Sequence, residues 1–556
     1  MIDVAQREMD VARFRRDPSV VMRLARMGCS HPTRLSFLPS LLRWMKADNW
    51  QFDRPVWEVD AKGVGRAVYR AIGPERTYSL VAFAHDLPPE MRSDRVIATA
   101  WDATFALFDG TPTLADLDRL QANVPLQEAG RVSPSELSLS RANRSVRLFE
   151  HVVARLAEGQ QPDAAELDKV GYLMRTTAVY GSGKFGAADR AAIADRPELQ
   201  GPFRVEMLSV WLTRAFTVDL VEHLARARGG ARAVPLDRVL RHRLGVGNAT
   251  GLGMAPFLIR HPALLNNWMA AREEALARVR AQGTVTPEAE QAFRAGLAGA
   301  VENATWWQSE HPVQTAKLGA LRADLAVLGG HVENGWDRDA RNPWDVLWRW
   351  AETALSLEGQ EQLLALMLDA HGDLVDPLAS CMYADEAAFF AIDGAMALDR
   401  LQAILEAHYG WALKVDFADT AATTRFWYVS EEKLEPRMGL RHEDEGAERE
   451  SPLATGRDVA RLSADLARWT GSQRVADFLL AHPQHRLSVR RAQIAARHPY
   501  AEICDNLIDE NMLPIDILRC KLAFFGATRF DPKSDLWVRI SLAQNMPYPD
   551  EMAGAQ

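Results

Sequence analysis

Apolar residues recur at helical spacing over most of residues 113–410, which predicts that helices dominate this part of the chain. Residues 204–228 keep the spacing for about six turns and stop at Gly229 and Gly230, which are typical of a helix end. Residues 342–345, Asn-Pro-Trp-Asp, predict another helix start. Asn can cap a helix, Pro suits the first helical position, and Asp favours the first turn.

Residues 55–110 have a different pattern. They are rich in β-branched and aromatic residues with partial alternation, and Gly, Pro and charged turns separate the apolar runs. This pattern is typical of an antiparallel meander rather than of strands alternating with helices. Thr113 is expected to cap the helix that follows the meander. Strand character returns at residues 411–429.

The sequence therefore predicts an α+β fold that is predominantly α-helical, with a small antiparallel sheet formed by strands from about 55–110. Strands from 411–429 either join that sheet or form a hairpin of their own. We expect five regions: a helical N-terminal segment over 1–54, an antiparallel β-meander over 55–112, a helical core with glycine-rich loops over 113–410, a strand pair with a charged loop over 411–451, and a helical C-terminal lobe over 452–556.

Composition narrows the class of protein. A chain of 556 residues is too long for one hydrophobic core, and a net charge of −9 gives no overall attraction to nucleic acid or to anionic lipid. The four cysteines are far apart and form no CxxC, which favours a reducing compartment. We find no secretory signal and no membrane span, so we expect a soluble, cytoplasmic protein without a membrane partner. A homo-oligomer is left open.

The first candidate site is a glycine-rich segment over residues 181–186. Gly181, Ser182 and Gly183 can direct backbone N–H groups at an anion, and Lys184 and the preceding Arg175 can add charge. A Walker A loop is not matched, because Ala178 and Phe185 stand where Gly and Ser or Thr are needed and no strand is expected before the segment. The hypothesis is an anion site of another kind. The alternative is a loop between two helices that binds nothing.

The second candidate site is residues 245–253, which hold four glycines. Gly247, Asn248, Thr250 and Gly251 are candidate ligand contacts, because glycine is favoured where a backbone must approach another group closely. The dinucleotide-binding pattern would need Gly at Thr250 and a buried strand beforehand, and the preceding residues are rich in Arg. The alternative is a pair of tight helix caps.

The third candidate site is the charged loop over residues 430–442. Glu435 beside Arg437 could orient a general base or hold a substrate carboxylate, and His442 follows closely. The alternative is a solvated acidic loop.

Metal and nucleophile motifs are not recognised in the sequence. It contains no HExxH, no Cys/His cluster and no G-x-S-x-G. Five histidines precede proline and are interpreted as helix entrances. We therefore expect a metal-independent protein with no metal ligands, and the identity of any organic cofactor is unknown.

Taken together, the three segments favour a cytosolic enzyme that acts on a small anionic metabolite (a carboxylate, phosphate or sulfonate) by acid–base chemistry. The alternative is a helical scaffold whose Arg-rich faces, such as residues 461–497, bind a partner protein; nucleic-acid binding is a lesser alternative. The predicted catalytic residues are Glu435, His442 and Lys184. The predicted substrate-binding residues are Arg175, Gly181, Ser182, Gly183, Gly247, Asn248, Thr250, Gly251 and Arg437.

Overall fold

The computed structural model describes most of the chain. The described residues are 11–27, 31–91, 100–127, 129–177, 193, 195–248, 254–382, 391–423, 426–431, 435–453, 455–503, 513–532 and 538–552.

Twelve strands in the described residues form two sheets. The strands are β1 Gln51–Val59, β2 Gly65–Ile72, β3 Thr77–Ala84, β4 Ala103–Asp109, β5 Glu136–Arg144, β6 Tyr172–Thr177, β7 Gly245–Asn248, β8 Trp427–Ser430, β9 Pro436–Met438, β10 Glu450–Pro452, β11 Arg529–Pro532 and β12 Val538–Leu542.

Helices make up most of the rest, and none of the helices among the described residues is long and apolar enough to cross a membrane. They are α1 Pro18–Val21, α2 Leu24–Met27, α3 Phe37–Ala47, α4 Leu114–Asn123, α5 Phe149–Ala157, α6 Ala164–Val170, α7 Arg204–Gly229, α8 Arg238–His242, α9 Ala255–Ile259, α10 Pro262–Arg280, α11 Pro287–Trp306, α12 Pro312–Asn334, α13 Pro343–Ala354, α14 Leu357–Asp369, α15 Gly372–Val375, α16 Leu398–Tyr409, α17 Thr420–Thr423, α18 Gly456–Leu466, α19 Val475–Ala481, α20 Arg486–Arg497, α21 Pro514–Leu518, α22 Lys521–Phe525 and α23 Pro549–Met552.

The first four strands form the antiparallel meander that the sequence predicts, and β5 extends it beyond the predicted region. The prediction of a small sheet is wrong, because the order β1-β2-β3-β4-β5-β6-β7-β12-β11 extends it to nine strands. Strands β5, β6 and β7 lie in the stretch where helices are expected. β7 has the sequence GVGN, and two glycines in four residues give no β-branched run by which a strand could be recognised.

One face of the sheet is covered by α7, which contacts β2 to β7. The sequence predicts this helix and its end at Gly229 correctly. Its buried Arg214 donates from Nε to the Leu244 carbonyl at 2.7 Å and from Nη1 to the Met546 carbonyl at 2.7 Å. A guanidinium that satisfies distant backbone carbonyls in this way ties the approach to β7 to the C-terminal part of the chain.

Helix α4 packs on the opposite face, where Leu117 and Leu120 join a cluster with Phe83. Its start at Thr113 is confirmed as a cap. The Thr113 hydroxyl accepts from the Asp116 N–H at 3.2 Å, and the Asp116 carboxylate accepts from the Thr113 N–H at 2.9 Å. This reciprocal pair satisfies two donors that the first helical turn leaves without intrahelical partners.

The predicted strands at 411–429 do not join the large sheet. Residues 412–423 contain a short 3-10 turn and α17, and only the last part of the stretch forms β8. β8 is the centre of a separate antiparallel sheet, in the order β10-β8-β9. The partner β10 comes from the end of the charged loop, so the sequence could not indicate the pairing by proximity.

A second hydrophobic core forms between α16, α18, α19 and α20. Fully buried side chains from each helix meet there, including Leu401, Leu462, Phe478 and Val489. Helix α16 joins this core from the region before residue 452, whereas β11 and β12 of the predicted C-terminal lobe belong to the large sheet.

Candidate functional site

Strands β6 and β7 are parallel neighbours, with Arg175 opposite Gly247 and Thr176 opposite Asn248. The carboxyl ends of parallel strands point to the same sheet edge, which is where open α/β sheets bind ligands. In the sequence, the first glycine-rich segment follows β6, and the second begins within β7. The expectation that no strand precedes the first segment is therefore wrong, whereas the residues before the second segment form α8 and not a strand. The mismatches at Ala178 and Phe185 persist, so a Walker A loop is still not indicated.

A β-bulge interrupts this parallel pair. Tyr172 pairs with Gly245 and Arg175 with Gly247, so three steps along β6 match two steps along β7. In a regular strand, residues three apart point to opposite faces. The extra residue of the bulge cancels one alternation, so Tyr172 and Arg175 share a face, as Gly245 and Gly247 do. Bulges re-aim side chains in this way beside active sites. The Arg175 side chain is nevertheless well enclosed, with a residue exposure of 5%.

Close packing explains the two glycines of β7. A Cβ at Gly245 would lie 2.3 Å from the Leu542 carbonyl oxygen, and a Cβ at Gly247 would lie 2.6 Å from the Tyr172 ring. Protein atoms therefore make the close approach that the sequence analysis assigned to a ligand. A contact between Gly247 and a substrate stays a prediction.

Two residues that the sequence analysis missed share the face of Arg175. In the register of β5 and β6, Asn143 lies opposite Arg175, and Arg141 lies opposite Thr177. Ser138 of β5 faces α7, since its Oγ lies 2.7 Å from the Oγ of Ser209. Alternation along β5 then turns Arg141 and Asn143 to the face away from α7. Only the cross-strand register could have identified them.

Neighbouring groups fix these two side chains. Asn143 accepts the Asp102 N–H through Oδ1 at 3.1 Å. The Arg141 guanidinium stacks over the Trp101 ring with its Cζ 4.1 Å from the centroid, and burial lowers the pKa of Arg141. A partly desolvated guanidinium on an aromatic face is favourable for binding an anion. Arg141 and Arg175 thus place two cationic groups on one face.

Asn248 ends β7 and is almost fully buried. Its Nδ2 lies 3.4 Å from the Thr176 carbonyl oxygen, across the parallel pair. Because it lies opposite Thr176, it belongs to the other face of the sheet from Arg175. A role of Asn248 in orienting a substrate stays a prediction.

The third predicted segment forms a separate hairpin. Arg437 donates from Nε to Glu450 Oε1 at 2.9 Å, and the His442 N–H donates to Glu450 Oε2 at 2.9 Å. Burial alone would raise the pKa of Glu450, but these donors hold it below its ordinary value. The carboxylate paired with Arg437 is therefore Glu450, not Glu435 as the sequence analysis proposed. The Glu435 N–H donates to the Ser430 hydroxyl at 3.3 Å.

Contacts connect this hairpin to the chain after the second glycine-rich segment. The Arg260 guanidinium donates from Nη2 to the Glu431 carbonyl oxygen at 2.8 Å. The Met254 N–H donates to the Ile517 carbonyl at 3.2 Å, and α21, which contains Ile517, contacts β9. The chain that follows the second predicted segment is thus a neighbour of the third.

Basic residues before the second segment pair with carboxylates. Arg238 donates to Glu551 at 2.7 Å, Arg241 donates to Glu551 at 2.9 Å, and His242 Nε2 lies 2.9 Å from the same carboxylate. These contacts fasten α23 to α8. Burial works against the charge of Glu551, yet its basic partners and the Tyr548 N–H lower its pKa to about 2.

This depressed pKa predicts a pH dependence of stability. The charged form of Glu551 stabilises the fold above its ordinary pKa of 4.5, and the contribution is lost as the pH falls towards about 2. We expect Glu551→Gln to be less stable than wild type at neutral pH, with the difference shrinking from about pH 4.5 to about pH 2. Urea unfolding of both proteins across this range measures the difference. A difference that does not change with pH would contradict the assignment.

Arginines of the predicted scaffold surface are also paired. Arg474 pairs with Asp477 at 3.0 Å, Arg491 with Glu502 at 2.6 Å, and Arg497 with Asp393 at 3.3 Å. Neutralisation by carboxylates weakens the case for a basic partner-binding face at residues 461–497.

Several predicted site residues lie outside the described residues, namely Gly181, Ser182, Gly183, Lys184, Thr250 and Gly251. Comparisons with protein-family models, with curated proteins and with solved structures gave no match to this chain.

Proposed function

We propose that the protein is an enzyme that binds a small anionic metabolite, a carboxylate, phosphate or sulfonate, at the carboxyl edge of β6 and β7. The observation that carries the proposal is the enclosed Arg175, which the β5–β6 register places on the face that also holds Arg141. An anion is the ligand that a pair of guanidinium groups in a low-dielectric setting favours most.

The chemistry of the two glycine-rich segments supports the same ligand class. Each segment continues the chain from one of the two parallel strands, and backbone N–H groups of glycine-rich turns bind anions well. On this proposal Lys184 adds a point charge, while Ser182 and Thr250 supply hydroxyl donors. Arg175 and Arg141 set the position of the anionic group on the sheet.

The proposal includes acid–base chemistry, in which Glu435 or His442 transfers a proton. The Arg437 guanidinium pairs with Glu450, and a contact between Arg437 and a substrate stays a prediction. The contact that supports participation of the hairpin is the hydrogen bond between Arg260 and Glu431, which ties it to the chain after the second segment.

The direct test is anion binding by wild type and by Arg175→Gln. A thermal-shift screen with phosphate, sulfonates and di- and tricarboxylates should identify an anion that stabilises wild type. Titration calorimetry with that anion should then give an affinity at least about tenfold weaker for Arg175→Gln, since a lost hydrogen bond to a charged group costs about 1.5–3 kcal/mol.

The matched control is Arg226→Gln, which removes a largely exposed guanidinium on α7. It should bind the anion as wild type does. The proposal is wrong if no anion stabilises wild type, or if Arg175→Gln binds as tightly as the control. Turnover of the bound anion with loss in Lys184→Ala would separate an enzyme from a binding protein.

A further inference from the structure

A group of metal-ligating side chains lies in the C-terminal helical lobe, apart from β6 and β7. Asp465, His482 and His485 each offer one ligand atom, and these atoms lie within 4.8 Å of one another. His485 is buried and the other two are half-buried. Two imidazoles and one carboxylate are a donor set that Zn²⁺ and related divalent transition metals use in proteins.

Local backbone geometry brings the two histidines together. His482 ends α19, and Pro483 starts the 3-10 turn Pro483–His485. Side chains three residues apart project from the same side of a 3-10 turn, so the spacing His-Pro-Gln-His turns both rings in one direction. In the sequence, His482 is one of the histidines before proline that are interpreted as helix entrances. The third group, Asp465, comes from the end of α18.

Packing restricts both rings. The Phe478 ring stacks on His482 at 4.9 Å and on His485 at 5.8 Å between centroids. The Trp469 indole N–H donates to His482 Nε2 at 3.3 Å, and His485 Nε2 lies 2.8 Å from Asp465 Oδ2. Side chains whose rotamers are fixed in this way lose little freedom when they bind an ion.

We propose that Asp465, His482 and His485 bind one divalent transition-metal ion of the Zn²⁺ type. An ion with bonds of about 2.0–2.2 Å to these groups would replace the hydrogen bond between His485 Nε2 and Asp465 Oδ2. Three protein ligands leave a fourth tetrahedral position for water, the arrangement of zinc sites with an exchangeable ligand. The proposal opposes the prediction of a metal-independent protein and does not depend on the anion site.

The alternative is that Asp465 and His485 form only a structural hydrogen bond, with His482 beside them and no ion bound. In that case the contact between Asp465 and His485 stabilises the lobe with or without metal. Metal binding itself therefore has to be measured, on protein without an affinity tag that contains histidine.

Untagged protein is treated with EDTA, freed of chelator and titrated with Zn²⁺ at pH 7.5. We expect one equivalent to bind to wild type, with affinity at least about tenfold weaker in His482→Gln and in Asp465→Asn, because each substitution removes one of three ligands. Co²⁺ should give visible ligand-field bands in wild type that both variants lose.

The matched control is His408→Gln, which removes an exposed histidine from α16 in the same lobe. Its Zn²⁺ binding should equal that of wild type. Far-UV circular dichroism in EDTA checks that each variant is folded. If His482→Gln does not fold, the near-isosteric Asp465→Asn is used for the comparison with wild type. The proposal is overturned if wild type binds no equivalent of Zn²⁺, or if the ligand variants bind it as the control does.

Discussion

The Glu361→Gln variant is expected to unfold with a free energy about 3–5 kcal/mol below that of wild type, the usual cost of removing one partner from a buried ion pair. The Glu361 side chain is fully buried, and its Oε1 accepts from Arg26 at 2.8 Å and from Arg16 at 3.3 Å. Its Oε2 pairs with Arg272. One carboxylate on α14 therefore joins three cationic groups.

The surroundings explain why so large a loss is expected. Burial, together with repulsion from Arg16, lowers the pKa of Arg272 to about 9, although Glu273 opposes the shift. A glutamine would remove the negative charge and also point two amide N–H donors at groups that can only donate. Uncompensated charge would then stay among buried side chains.

Chemical denaturation followed by circular dichroism measures the difference. The same change in an exposed pair is the control: Glu166→Gln removes the partner of Lys169, 2.7 Å away, with both side chains about half exposed. That variant should lose about 0–1 kcal/mol. Equal losses in the two variants would show that the buried cluster has no special role.

Gly245→Ala is expected to lose about 3 kcal/mol of unfolding free energy, at the upper end of the usual cost of overpacking. The new methyl group would lie 2.3 Å from the Leu542 carbonyl oxygen and 2.3 Å from the Ser541 hydroxyl. The first obstacle is backbone of the neighbouring strand β12, which a side-chain rotation cannot relieve. The methyl group can fit only if β7 and β12 separate.

Gly319→Ala is the matched control, because a Cβ at Gly319 of α12 meets no atom within 4 Å. Alanine is favoured over glycine inside a helix by about 1 kcal/mol, so the control should be neutral or more stable. The measurement is again denaturant unfolding. A Gly245→Ala protein as stable as wild type would mean that β7 is not seated between its neighbours as described.

Elements with a strong local pattern could be predicted from the sequence. Helix α7 repeats its apolar spacing over many turns, and Thr113 carries its capping partner Asp116 three residues later. Strand β7 could not be predicted in this way. Its four residues are held by β6 and β12, so their conformation depends on partners that are distant in the chain.

The candidate sites show the same limit. Arg175 is predicted beside a glycine-rich segment, but its face is set by the register that places it opposite Asn143. Arg437 is predicted to lie beside the Glu435 carboxylate, whereas its partner is Glu450, which follows after a turn that no local rule predicts. Residue types suggest chemistry, whereas long-range register decides which groups meet.

The position of β7 also constrains the order in which the molecule can assemble. β7 pairs on one side with β12, which lies close to the C-terminal end of the described chain. During synthesis, which proceeds from the N-terminus, residues 245–248 have a partner only on the β6 side until residues 538–542 have been made. Pairings between such distant segments also form slowly. The edge proposed to bind an anion is therefore among the last parts of the sheet to be completed, and a nascent or truncated chain exposes β7 as an unprotected edge strand.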